Sequence, residues 1–418
     1  MRSWKLTLIA VLFGGLVGCA KFGLEQNASG QVRNPPPVST DKCVPEARWY
    51  IPQERRLATS PSIMATLAEH DVLLLGEVHD SQAHHLWQLQ VIAAMHGIRE
   101  NIAIGMEMLP RSVQPILDKW SANELTPEEF LRLSNWYDYW QFDADLYMPI
   151  LQFARINRIP VYALNVDKSL VKNVRENGWS GVAVAERMGI TDPAPAQEAY
   201  LDLLLETFGM HGAASAHGST SSGTSPAAGA KSDPRFLRFV ENQLLWDRAM
   251  AQGLSDAWQR DRESFVIGIM GSGHVIFDFG VAHQLNSLGI RNVATATPWD
   301  GQFDCNSLNA GFADAVFGLS IPDEVEDNER PRLGVNIENH RNGVRVVSVV
   351  EKSVAANAGM LNDDVIVEMA GRAVVNVREV VEQVRAMVPG TWLPLVVERK
   401  GQRVDLVGRF PPKSPGPS

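Results

Sequence analysis

The chain has 418 residues, room for two or three domains, and carries 38 Lys plus Arg against 48 Asp plus Glu for a formal net charge of −10. That acidic balance excludes the broad basic surface a nucleic-acid partner requires, so no nucleic acid is expected. Three cysteines are too few for a disulfide scaffold and leave room for at most one intrachain bridge.

Taken in chain order, Met1 to Lys5 is short and basic, and Leu6 to Val17 is almost wholly apolar. A spanning helix needs about 20 apolar residues, so this run fits the h-region of a secretory signal instead. It ends in Leu16-Val17-Gly18-Cys19, which resembles the bacterial lipobox. The resemblance implies removal of residues 1–18, lipidation of Cys19 and anchoring to a membrane; loss of Arg2 and Lys5 with no acid takes the net charge from −10 to −12. Ala20 stands where inner-membrane lipoproteins of enteric type carry Asp, which implies the outer membrane, facing the periplasm. Residues 19–44 are polar with Pro and Gly, and read as a tether. An exported compartment allows Cys43 and Cys305 to pair, although two separate thiols stay open as the alternative.

Between residues 45 and 319 short apolar runs alternate with helical patterns. This is the habit of an α/β domain with a mostly parallel sheet flanked by helices. The predicted strands are Val72–Leu75, Ile102–Met106, Val161–Leu164, Phe265–Met270 and Val293–Ala296. The predicted helices are Ala83–Met95, Leu146–Asn157 and Phe236–Trp258, with caps at Ser81 and at Thr126 ahead of Pro127 and Glu129. Residues 209–233 are rich in Gly, Ala, Ser and Thr and read as a low-complexity insertion. The acidic stretch 320–331 reads as a linker, residues 332–410 as a second domain and 411–418 as a tail.

Polar residues collect where the predicted strands end. The first run leads into Gly76-Glu77-Val78-His79, the second into Glu107, the third into Asn165 and Asp167, and the fourth into Gly271-Ser272-Gly273-His274. In open α/β sheets ligands bind beyond the carboxyl ends of strands, so these segments should converge on one site. Two imidazoles with Glu77 or Glu107 suit a divalent metal held by His79, His274 and Glu107; equally, one imidazole oriented by a carboxylate suits a general base acting on water. The residues alone do not separate the two.

The segments Leu74–His79, Gly105-Met106-Glu107-Met108, Ala163–Val166, Gln243–Ala251 and Gly271–His274 together resemble the ChaN-like haem-binding lipoproteins, which belong with the Tiki proteins and the erythromycin esterases. The shared pattern, two Gly-x-x-His motifs with a glutamate and an Asn or Arg, falls on His79, His274, Glu107 and Asn165, with Glu77 beside them. The resemblance implies haem as ligand and a role in iron uptake or haem handling; the other branches imply hydrolysis of a small-molecule or peptide substrate, so an enzyme is neither asserted nor excluded. Haem needs an apolar slot and an axial donor, for which His84, His85 and Tyr147 are candidates, with His96, Tyr137, Tyr139, Met210, His211 and His217 further off. At most one of the adjacent His84 and His85 is expected to face the site, since neighbours on a helix point about 100° apart. The aromatic run Trp136–Trp140 suits a core or a pocket wall.

From Arg332 the pattern changes to short strands with Gly turns. Arg332-Leu333-Gly334-Val335, Ala355 to Met360 and Asp364-Val365-Ile366 resemble the PDZ domains of HtrA-type proteins, a small β-barrel-like fold with two helices. The resemblance departs at Arg332 and at Asp363, each where a glycine is usual. It implies a groove in which Leu333, Gly334, Val335 and Asn336 meet the C-terminal peptide of an envelope protein, with Val377 and Val381 as the opposite wall. A scaffold in which only this module is active is the third possibility.

Overall fold

The protein is described here from a computed structural model covering residues 43–140, 142–215, 230–301, 305–320, 331–385 and 387–412. Cys19, most of the tether, residues 216–229 with His217, most of the linker and the last six residues lie outside the described residues. Among the described residues no helix is long and apolar enough to cross a membrane.

The first unit is built on an eight-stranded sheet. Its strands are β1 (Trp49–Ile51), β2 (Arg56–Ala58), β3 (Val72–Glu77), β4 (Ile102–Pro110), β5 (Val161–Asn165), β6 (Phe265–Gly271), β7 (Val293–Trp299) and β8 (Ala315–Gly318). They lie in the order β2-β1-β8-β7-β3-β6-β4-β5. From β8 to β5 every pairing is parallel, while β1 is antiparallel to β8 and to β2. All five predicted strands form. The three at the edge were not predicted, being too short to show a pattern.

Strand periodicity sends alternate side chains to opposite faces, and both faces are covered. Leu73, Leu75, Ile104 and Ile267 pack with Trp87, Val91, Ile92 and Leu151 from the helices Gln82–Ile98 and Met148–Ile156. Val72, Leu74 and Val266 pack on the other side with Leu254 and Leu285 from Pro234–Arg260 and Val281–Ser287. Ser81 caps its helix by accepting from His84 N, and Thr126 with Glu129 makes a complete capping box. Several boundaries shift, β4 running on to Pro110 and the helix from Gln82 to Ile98. A 3₁₀ turn at Ala144–Leu146 precedes the helix expected from Leu146, and the helix Glu198–Ser215 runs into the segment read as low-complexity from Gly209. Cys43 and Cys305 are joined in a disulfide, tying the chain ahead of β1 to the approach to β8.

The second unit is an antiparallel sheet of β9 (Val335–His340), β10 (Gly343–Val349), β11 (Val365–Met369), β12 (Arg372–Ala373), β13 (Trp392–Arg399) and β14 (Gln402–Arg409). Its order is β14-β13-β11-β10-β9, with β12 beside β11. Two helices, Val354–Asn357 and Val377–Arg385, complete it around Val344, Ile366, Leu395 and Val397. Asp363 adopts φ +65°, the left-handed conformation that makes glycine usual there and that Asp tolerates better than most residues.

Candidate functional site

Sheet order assembles the site. β6 lies between β3 and β4, and the parallel register sets Glu77 beside Gly271. The two Gly-x-x-His turns therefore leave neighbouring strands side by side. Gly76 has to be small: a Cβ there would lie 2.7 Å from Ser272 Oγ in the second turn.

Glu107 is within a strand rather than just past one. β4 continues to Pro110, and its register with β5 slips between Met106 and Pro110. Such a slip re-aims side chains. The Asn165 side chain holds this irregular stretch, its Nδ2 donating to the Glu107 carbonyl at 2.8 Å and its Oδ1 accepting from Val166 N–H at 2.7 Å. Asn165 thus positions backbone and does not reach the imidazoles. Glu107 Oε2 in turn accepts from Gly271 N–H at 2.7 Å, and its Oε1 lies 3.7 Å from His274 Nε2.

Each imidazole is oriented by a buried carboxylate. His79 Nδ1 is 2.5 Å from Glu77 Oε1, and His274 Nδ1 is 2.6 Å from Asp247 Oδ1. Asp247 comes from the long helix Pro234–Arg260 and also accepts from Tyr200 OH at 2.8 Å. Neither Asp247 nor Tyr200 was singled out in the sequence, although an acid on the buried face of a helix was a signal. Gly280 packs closely here, since a Cβ would lie 2.9 Å from Asp247 Oδ1.

Burial by itself would lower the pKa of His79, but the hydrogen bond to Glu77 and the charges of Glu107 and Glu77 outweigh it, so His79 titrates above the usual histidine range. The same contest at His274, with the Asp247 charge and hydrogen bond prevailing over burial, pushes its pKa up to about 9. At neutral pH the His274 imidazole is therefore a cation. Buried Tyr147 is held well above the ordinary phenol range, first by burial and then by Glu77.

His79 is the more open of the pair, with 31% of its side chain exposed. Trp140 meets its ring edge-on at 4.6 Å between centroids, and Phe142 lies 5.1 Å away. The turn below is braced from both sides. His84 Nδ1 accepts from Val78 N–H at 3.0 Å, which places the proton on Nε2, 2.9 Å from Asp300 Oδ2. His85 Nε2 is 3.3 Å from the His79 carbonyl, which Tyr147 OH also reaches at 3.1 Å. Both adjacent histidines thus serve the turn. His84, His85 and Tyr147 are buried and already bonded, so as candidate axial donors they offer no accessible atom in this arrangement. One ligand atom each from Glu77, His79 and Glu107 falls within 4.8 Å of the others, so in this grouping Glu77 takes the place that His274 had in the expected metal set.

In the second unit Leu333, Gly334, Val335 and Val381 line a groove of about 890 Å³. Val377 packs toward the core instead, and the Asn336 side chain bonds Ser348 on β10 at 2.7 Å. Gly334 has φ +79°, and a Cβ there would lie 2.2 Å from Ser353 Cβ. Its constraint is local strain as much as ligand approach. Gly334→Val is expected to destabilise this unit by more than the roughly 1–2 kcal/mol of a left-handed residue, seen as a lower melting temperature. An unchanged melt would show that the loop is not held this way.

A family profile described as haem-binding uptake, Tiki superfamily, ChaN matches residues 63–285. A PDZ-domain profile matches residues 331–407. No curated protein matches the chain. Among solved structures, one described as cofacial heme binding to ChaN of Campylobacter jejuni is 17% identical at TM-score 0.48, covering 64% of this chain and 95% of that one. The HtrA-type protease AlgW with a decapeptide is 28% identical at TM-score 0.19, over 21% of this chain and 30% of that one. The HtrA3 PDZ domain bound to a phage-derived ligand is 23% identical at TM-score 0.17, over 19% of this chain and 82% of that one.

Proposed function

This chain belongs to the haem-binding uptake family of the Tiki superfamily, ChaN, and from that membership we propose that its α/β domain carries haem, with His79 as the protein's donor to the iron. The observation that supports His79 is its surroundings: Nδ1 tied to a buried carboxylate, partial exposure, and two aromatic rings alongside. A carboxylate on the far nitrogen fixes the ring and strengthens the other nitrogen as a donor, and aromatic side chains suit the flat apolar face of a porphyrin. Glu77 orients the ring; Trp140 and Phe142 would flank the cargo.

The setting we propose is a lipoprotein anchored at Cys19 in the outer membrane, facing the periplasm, with haem delivered for iron uptake and the PDZ domain recruiting an envelope protein by its C-terminal peptide. The Cys43–Cys305 bridge favours an oxidising compartment. Titrating haemin into the full chain tests the haem reading. Saturable binding with a shifted Soret band is expected; a spectrum identical to free haemin at every ratio would refute it.

A second reading is favoured by one feature, the Tyr200–Asp247–His274 chain, which a single axial donor does not require. Paired imidazoles beside Glu107, with His274 held protonated as an acid, suit acid and base roles in hydrolysis of an ester or peptide, with a divalent cation as a further option. Turnover of such substrates, lost in His274→Ala, would establish it; an inert chain free of metal would end it.

A further inference from the structure

A cavity of about 590 Å³ lies between the helices Lys168–Asn177 and Pro234–Arg260 and shares no lining residue with the strand-end site. The long helix sends one side into it: Arg235, Arg238, Phe239, Asn242 and Trp246 follow one another at the three- and four-residue spacing of a single helix face. That face is sorted by chemistry. Its arginines stand toward the N-terminal end and its aromatic rings follow, while Arg175 comes from the last turn of the shorter helix. No acid is among the lining residues. Asp233 holds Arg235 and Glu241 holds Arg238, each engaging only part of the guanidinium, and Arg175 joins no ion pair of the described residues. Gly178 makes room for one of these groups: its φ is +74°, and a Cβ there would lie 2.0 Å from Arg238 Nη1. At the bottom, Asn242 is only 6% exposed. Its Nδ2 donates to the Arg238 carbonyl at 2.9 Å, and its Oδ1 is buried with no hydrogen-bond partner. An unpaired buried acceptor is costly, so this one calls for a donor from whatever enters the cavity.

We propose that this cavity binds a small aromatic carboxylate that carries a hydrogen-bond donor on its ring system. The carboxylate takes the remaining N–H groups of Arg175 and Arg238, since a guanidinium matches a carboxylate in shape as well as in charge. The flat body lies against Phe239 and Trp246. The donor meets Asn242 Oδ1. A concave site with apolar walls and a few convergent polar groups is the usual form of a small-molecule pocket. The proposal is independent of the haem reading.

Calorimetric titration of the full chain with three probes tests it: indolepropionate, which has the carboxylate, the flat ring and the N–H; naphthylpropionate, which lacks the donor; and tryptamine, an ammonium in place of the carboxylate. Indolepropionate should saturate one site, with tryptamine at least about tenfold weaker for want of the charge-assisted bonds. Naphthylpropionate should bind roughly two- to tenfold more weakly than indolepropionate, the effect of one neutral hydrogen bond. Arg175→Gln, a change at an exposed position, should lower the affinity for indolepropionate at least about tenfold with an unchanged melting temperature. Asn242→Leu should bring the two carboxylates to equal affinity, and His79→Ala should leave the binding of both as it is. No saturable binding up to millimolar indolepropionate, tryptamine bound as tightly, or an Arg175→Gln chain with wild-type affinity overturns the site. Binding lost in His79→Ala overturns it too, by placing the ligand at the strand ends. Equal affinity of the two carboxylates in the wild type overturns the donor to Asn242.

Discussion

Asp247→Asn should destabilise the α/β domain by about 3–5 kcal/mol at neutral pH, the cost of leaving one partner of a buried ion pair uncompensated. Asp247 is fully buried, its Oδ1 on His274 and its Oδ2 on Tyr200. The pH dependence gives a second readout. His274 titrates near 9 in the folded chain against an ordinary 6.5, so the folded state binds the proton more tightly. Its contribution to stability is fully present below pH 6.5 and is lost as pH rises through 9. Urea denaturation of the wild type should therefore show the α/β transition weakening across that window, and Asp247→Asn should flatten this dependence. A wild-type domain that gains stability from pH 6.5 to 9, or a variant that unfolds at the same urea concentration, would contradict the buried pair.

Glu77→Gln should weaken haem binding by about 10–100-fold, the usual effect of removing a group that orients a metal-binding histidine. The carboxylate is buried and holds His79 through Oε1, while its Oε2 has no hydrogen-bond partner. An amide of the same shape keeps the packing but replaces the charge-assisted bond with a neutral one. Haemin titration of both proteins, with circular dichroism to check the fold, measures this. Equal affinities would mean that Glu77 supports the turn rather than the ligand.

Much of the site was legible because it is written in strand ends. Glu77, His79 and His274 follow apolar runs that do form strands, and parallel order carries their turns to one side of the sheet. Glu107 was legible as a residue but not as a position, since nothing in the continuous run Ile102–Pro110 marks where its register slips. Asp247 lies amid a 27-residue helix and meets His274 only through tertiary packing. Tyr200 is more remote still, reaching that acid from another helix. His84 and His85 were legible as unusual, yet their work is visible only once the turn above them is folded, one ring taking the Val78 amide and the other the His79 carbonyl. In the second domain Gly334 was picked for ligand approach, whereas contact with Ser353 already demands it.

Haemin titration of the wild type beside His79→Ala and His274→Ala tests most directly whether His79 is the donor. The wild type should saturate with a shifted Soret band. His79→Ala should lose that band and at least about 100-fold in affinity, some 2.7 kcal/mol, while His274→Ala keeps the spectrum. A His79→Ala chain that binds haemin with wild-type affinity and an unchanged spectrum would contradict it.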